Sequence, residues 1–212
     1  MIMTKDDLYG TTHETPVGEL TLVASDRGLR AVIWPGASGR VPLTARPRRN
    51  PGHPILRDAT LQLDEYFEGS RTRFDLPLDI QGTRFQLAAW RALSAIPYGS
   101  TVSYGHQARQ LGIPTAARAL GAANRANPVC IVVPCHRVIG ADGSLTGFAG
   151  GLERKRFLIE HEVQVLARKG EYSYSLPFAG RVGQGLHSMF ALPHAVPQYS
   201  THPRPRTDQA LR

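Results

Sequence analysis

Chemistry in this 212-residue chain points first to the run VVPCHRVIG at 132–140. The chain has two cysteines, Cys130 and Cys135, and the second is followed at once by His136 and Arg137. A cysteine becomes a strong nucleophile as its thiolate, and a neighbouring imidazole, cation or helix N-terminus lowers its pKa. The competing reading is a small buried thiol beside a satisfied histidine, because free cysteine packs as a hydrophobe. In an extended segment Cys135 and His136 point to opposite faces, so a proton relay between them needs a turn or a bridging water. Cys130 and Cys135 lie five apart on one predicted strand, which also turns them to opposite faces and speaks against a disulfide. Cys130 therefore reads as core, and a reducing, intracellular setting fits. With two cysteines and no spaced pair of thiol or imidazole ligands nearby, the pattern calls for no metal and no cofactor.

The elements that must hold this run follow from periodicity and caps. Residues 15–34 predict two strands, 19–23 and 29–34, around an Asp-Arg-Gly turn. Residues 35–54, rich in Gly, Pro and Arg, predict a loop or insert that includes His53. The run PILRDATLQLDEYFEG predicts an amphipathic helix with Ile55, Leu56, Leu63, Tyr66 and Phe67 inward and Gly69 closing it. TRFDLPLDI, at 72–80, predicts a third strand. Nothing in this first part suggests chemistry. Thr83 is placed to cap a helix with Phe85, Ala88, Ala89, Leu93 and Ile96 on one face. Ser103 is placed to cap YGHQARQLG, which Gly112 ends, and Thr115 to cap AARALGAANRAN. Two short helices around a tight turn read as a helix-turn-helix. PVCIVV then reads as a strand leading into Pro134 and Cys135, and LERKRFLIEHEVQVL as a last helix. The fold class is mixed α/β (α+β): a domain at 1–80, a second at 81–170, and an extended or disordered tail at 171–212. The tail holds His187, His194 and His202 at irregular spacing, which argues against a metal site.

The formal charge is +8, and between Trp90 and Lys169 ten Lys/Arg face four acids, so +6 of it lies in the part containing Cys135. That bias raises an anionic partner as a candidate, though charge alone is equally compatible with a soluble surface. No apolar run is long enough to span a membrane, and MIMTKDDLYG has no signal core, so a cytoplasmic protein is expected. A nucleophile joined directly to a nucleic-acid-binding element suggests chemistry on the nucleic acid itself. A base in duplex DNA is reached only after it is flipped from the stack.

From Phe85 to Glu162 the pattern IPYG…SY…ARA.G.A…NP…PCHRVI…G…GG…K…L…HE resembles the O6-alkylguanine-DNA alkyltransferases, with order and spacing preserved. The first 80 residues fit the family's amino-terminal domain with a weaker signal. The resemblance implies a single-turnover repair protein acting as a monomer on double-stranded DNA that contains alkylated guanine. Cys135 takes the alkyl group from guanine O6, with O4-alkylthymine a further candidate. It also implies that His136 acts as the base for Cys135 through a water and is oriented by Glu162. Tyr104 protonates the departing base, Arg118 enters the stack in place of the extruded nucleotide, and Asn127 holds the turn before the active-site segment. Thr115, Ala117, Gly121, Arg125 and Arg137 join Arg118 and Asn127 as DNA-binding positions. Val138, Phe148, Ala149 and Gly150 join Tyr104 around the substrate. Phe148 and Ala149 stand where many members have Tyr and Ser, so a side-chain hydroxyl is missing there. Two rivals predict different behaviour. A non-catalytic lesion-binding or regulatory protein binds DNA without transfer, and a cysteine hydrolase turns over without DNA.

Overall fold

The computed structural model describes residues 7–36, 43 and 45–171. The expected tail beyond Glu171, with its three histidines, lies outside them. Strands β1 (Tyr9–His13), β2 (Leu20–Ser25) and β3 (Gly28–Ile33) form an antiparallel meander. Strand β4 (Arg48–Arg49) adds to β1 in parallel, giving the order β3-β2-β1-β4. Alternation along β2 decides its two faces. Leu20, Leu22 and Ala24 join the main core, while Val23 packs with Leu8 and Ala31 on the other side. Helix α1 (Pro54–Glu68) covers the main-core face with Leu56, Ala59, Leu63 and Tyr66. Pro54 suits the first turn, and Gly69, at φ 84°, closes the last in the left-handed conformation that glycine tolerates. His53, expected in a loop outside the core, is instead the buried residue before α1, stacked on Tyr9 with ring centroids 4.6 Å apart.

The expected strand over 72–80 does not form. Leu78 alone bridges to Leu29. The backbone of Asp75 is taken by a side chain: its N–H donates to Gln62 Oε1 at 2.7 Å and its carbonyl accepts from Gln62 Nε2 at 2.8 Å. Pro77 has no N–H to offer a ladder.

Helix α2 (Arg84–Ser94) starts at Thr83 with a capping box to Gln86. A two-residue strand β5 (Val102–Ser103) leads into α3 (Tyr104–Gln110), where Ser103 Oγ accepts from the His106 N–H at 3.1 Å. Helix α4 (Ala117–Arg125) completes the helix-turn-helix. Thr115 does not cap it. Ala116 holds the cap position, because a turn closed by its N–H on the Ile113 carbonyl (2.9 Å) keeps Thr115 one residue too early and exposed. Ala89, Ala108, Leu120 and Ala123 let α2, α3 and α4 approach closely. Trp90 Nε1 donates to the Ala123 carbonyl (2.8 Å) and Gln107 pairs with Asn124 (2.8 Å), which satisfies the buried polar groups between them.

The run PVCIVV is not a strand. Ile131 sits at φ 74°, a region that β-branched residues avoid, and the chain folds back there. A single 3₁₀ turn over Cys135–Arg137 then leads to β6 (Val138–Ile139), parallel to β5, and to α5 (Leu152–Lys169). One core runs through both halves of the chain: Leu20, Leu56 and Tyr66 share it with Leu93, Val133, Cys135 and Leu158. The Val32 N–H donates to the Pro128 carbonyl at 2.8 Å, so the edge of the sheet binds the segment that carries Cys135.

Candidate active site

Cys135 is held by a clamp. Asn127 Nδ2 donates to the Val133 carbonyl at 2.8 Å, and Asn127 Oδ1 accepts from the Val129 N–H at 3.1 Å. The Cys135 N–H then closes on Val133 O at 2.9 Å. Asn127 is buried, so it fixes the turn rather than facing DNA, which corrects its place among the DNA contacts. Folding back at Ile131 also reverses the expectation for the cysteines. Their Sγ atoms face each other at 3.7 Å, both as free thiols. Hydrogen bonding from Cys130 lowers the Cys135 pKa against the effect of burial, with further help from Asn127 and the Lys155 charge. The Cys130 thiol is pushed up by Cys135 and by burial.

His136 is fully buried beside it. Its Nε2 lies 2.7 Å from Glu162 Oε1. A carboxylate accepts, so this contact places the ring proton on Nε2 and leaves the lone pair on Nδ1. Nδ1 is buried and has no hydrogen-bond partner among the described residues. Burial lowers the His136 pKa against the pull of Glu162, which favours the neutral, basic imidazole. Glu162 is itself enclosed. Burial alone would raise its pKa, but the hydrogen bonds of His136 and Arg137, with the Arg137 charge and the imidazolium that His136 becomes in acid, hold it down to about 2. It also accepts from the Gly99 N–H and from Tyr66 O–H, both at 2.9 Å.

Two positions depart from expectation here. Arg137, expected on DNA, is buried. Its Nε sits 3.0 Å from Glu162 Oε2 and its Nη1 donates to the Ile96 carbonyl at 2.6 Å. Its charge is consumed by the interior carboxylate. Tyr66, read as an apolar residue of a domain without chemistry, reaches the site with its hydroxyl. A tyrosine on a buried face carries a polar tip that needs a partner, and that was the available signal.

Lys155 was also missed. It is fully buried, and its Nζ donates to the carbonyls of Val138 (2.6 Å) and Thr146 (2.5 Å). Burial lowers its pKa to about 8, against the opposing pull of Cys135. The signal lay in spacing: Lys155, Leu158, Glu162 and Val165 are the buried face of α5, so two ionisable residues occupy an apolar stripe. Tyr104 O–H donates to the same Thr146 carbonyl at 3.2 Å. The Lys155 ammonium lies 5.8 Å from the Tyr104 ring centroid. Burial raises the Tyr104 pKa, so the phenol keeps its proton.

An open groove of about 860 Å³ runs from Tyr104, Thr146, Gly147 and Ala149 along Ala117, Arg118, Gly121, Ala122, Arg125 and Ala126. It joins the helix-turn-helix to the Tyr104 and Thr146 edge of this cluster. The small residues of α4 leave its floor flat, and Arg118 and Arg125 stand exposed on it. Of the expected substrate positions, Tyr104 and Ala149 line this groove. Val138 is buried under Lys155, Phe148 packs edge-on against Trp34 at 5.5 Å, and a Cβ on Gly150 would meet the Trp34 ring at 2.8 Å. Phe148 therefore spends its ring on the interior.

A model of the 6-O-methylguanine DNA methyltransferase DNA-binding domain matches residues 84–164, and one of that enzyme's ribonuclease-like domain matches residues 8–80. The methylated-DNA–protein-cysteine methyltransferase of Methanosarcina acetivorans is 42% identical over 155 residues, 73% of this chain and 98% of that protein. The chain belongs to the methylated-DNA–protein-cysteine methyltransferase family. Its similarity to the Mycolicibacterium paratuberculosis methyltransferase is 49% identity over 154 residues, 71% of this chain and 90% of that protein. The crystal structure of Mycobacterium tuberculosis OGT in complex with DNA shares this methyltransferase fold with a TM-score of 0.66 at 45% identity, over 74% of this chain and 94% of that one. The mixed α/β class and the family resemblance read from the sequence both hold.

Proposed function

We propose that this chain is a DNA-repair methyltransferase that takes the alkyl group of O6-alkylguanine onto Cys135, once and irreversibly. Family membership carries repair by transfer from DNA to a protein cysteine, and sets aside the non-catalytic alternative. For the assignment of residues, the observation with most weight is the orphaned Nδ1 of His136, opposite an Nε2 tied to Glu162. That imidazole keeps a free basic nitrogen on the residue next to Cys135, the less deeply buried thiol of the pair.

In this reading Nδ1 takes the Cys135 proton through a water, and the sulfur attacks the alkyl carbon. The S–C bond forms as the C–O bond breaks, and the electron pair goes to the guanine. Tyr104 donates a proton to the departing base, with the Lys155 charge nearby to stabilise the phenolate. Arg118 fills the stack left by the flipped nucleotide, while Ala117, Gly121 and Arg125 seat the backbone against α4. In this reading the protein acts as a monomer in the cytoplasm. The reaction balances without a cofactor.

The test is intact mass after incubation with a duplex carrying O6-methylguanine. One added methyl per protein, mapped to the peptide holding Cys135 and absent in Cys135→Ser, is the expected result. Unchanged mass with retained DNA binding would return the lesion-binding reading. Continued turnover would return the hydrolase reading.

A further inference from the structure

Cys130 forms and breaks no bond in the transfer described above, yet its placement is specified in detail. Ile131 holds a backbone conformation that its β-branched side chain disfavours, and the result is that Cys130 turns inward. Cys130 bridges to Val133, and the Val133 N–H closes on Val129 O at 2.9 Å. Asn127 grips the same loop at both ends. The outcome is a dithiol with an Sγ–Sγ separation of 3.7 Å. A disulfide needs about 2.05 Å, so closure is a movement of roughly 1.7 Å, shared between two side chains. Access differs between the two. Cys135 is 4% exposed and Cys130 1%. Cys135 also has the lowered pKa and Cys130 the raised one.

We propose that Cys130 and Cys135 are a modification site, closing into a reversible disulfide when a hydroperoxide reaches the acceptor. The Cys135 thiolate attacks the terminal peroxide oxygen. The O–O bond breaks, Cys135 becomes a sulfenic acid, and the leaving alkoxide takes up the proton that the thiol had released. Cys130 then attacks the Cys135 sulfur, the S–O bond breaks, and hydroxide leaves with the Cys130 proton as water. Two thiols and one hydroperoxide become one disulfide, one alcohol and one water; the sulfurs lose two electrons and the peroxide gains them. The closed form cannot accept an alkyl group, but it is protected from the sulfinic and sulfonic acids that no thiol reverses. A protein used only once gains from such a cap, because an acceptor oxidised irreversibly is lost before it repairs anything. This consequence rests on Cys135 being the acceptor, whereas the disulfide itself does not.

The full chain, dilute and freshly reduced, is treated with hydrogen peroxide and analysed by non-reducing peptide mapping and thiol titration. The expected result is a loss of two hydrogens in mass, a fall from two free thiols to none, and a link joining Cys130 to Cys135 within one molecule. Dithiothreitol should then restore both thiols and methyl transfer. Under the same excess of peroxide, Cys130→Ser and Cys130→Ala should instead gain two or three oxygens at Cys135 and stay modified after dithiothreitol; circular dichroism establishes that each variant is folded. Oxygen addition to Cys135 in the parent chain, or equal recovery in a folded variant, would overturn the proposal. A link that forms and opens without any methyl transfer in the reduced protein would leave the dithiol site standing and overturn the acceptor assignment instead.

Discussion

Replacing Tyr66 by phenylalanine removes one hydroxyl and leaves the ring of a residue that packs among Phe67, Phe74 and Tyr98. The lost contact is a 2.9 Å hydrogen bond to a buried carboxylate. Hydrogen bonds to charged groups contribute about 1.5–3 kcal/mol. Glu162 Oε1 keeps His136 Nε2 and Arg137 Nη2 as donors, so it is not orphaned and the loss falls at the low end. The expected destabilisation is about 1.5–2 kcal/mol, a fall in melting temperature of roughly 3–8 °C for a chain of this size. The decisive assay is a double-mutant cycle in denaturant with Glu162→Gln. A direct Tyr66–carboxylate interaction should give a coupling of about 1 kcal/mol or more. The single-turnover transfer rate of Tyr66→Phe should fall less than that of Glu162→Gln. Additivity within about 0.5 kcal/mol would refute the reasoning, because Tyr66 would then act through packing alone.

Arg118→Ala should slow repair of duplex DNA by roughly tenfold and leave single-stranded repair nearly intact, since only the duplex must be opened at a cost of a few kcal/mol; equal losses in single-turnover assays on both substrates would count against the wedge. Arg137→Ala should behave differently, destabilising the fold by about 3–5 kcal/mol through an unpaired Glu162. The salt dependence of its DNA binding should match that of the parent, and a shallower slope would put Arg137 on a phosphate after all. Glu162 also sets an acid limit. Its pKa falls from the ordinary carboxylate value to about 2 in the folded protein, so its stabilisation is complete above pH about 4.5 and is lost as pH drops toward 2. That is about 3 kcal/mol of stability that should drain from the parent across the window, measured by denaturant midpoints. Glu162→Gln should show a flatter slope there, and parallel curves would exclude the group as the source.

What could be read without coordinates was local. Thr83, Ser103 and Gly69 each announce a helix boundary locally, and all three sit where expected. The order Pro134-Cys135-His136 and the distant Glu162 were legible through the family pattern. What failed depended on partners far along the chain. The 72–80 segment has strand-like residues, but Gln62 claims its backbone from α1. Arg137 reads as one more cation in a basic window until α5 brings a carboxylate 25 positions away against it. Tyr66 and Glu162 are 96 positions apart, beyond the reach of any periodicity. The turn at Ile131 was hidden for the opposite reason: its residue type argues against the conformation it adopts, and Asn127 imposes that conformation through the backbone on either side.

Cys135 belongs to the hydrophobic core, packed with residues from the sheet, α1 and α5 alike. If Cys135 is the acceptor, every alkyl group it receives is added to a packed interior, and extra methylenes forced into such interiors cost about 1–3 kcal/mol. Repair through Cys135 would then leave a physical record in the molecule that performed it. On that reading a spent copy should melt below a fresh one, and equal melting temperatures before and after transfer would erase the record.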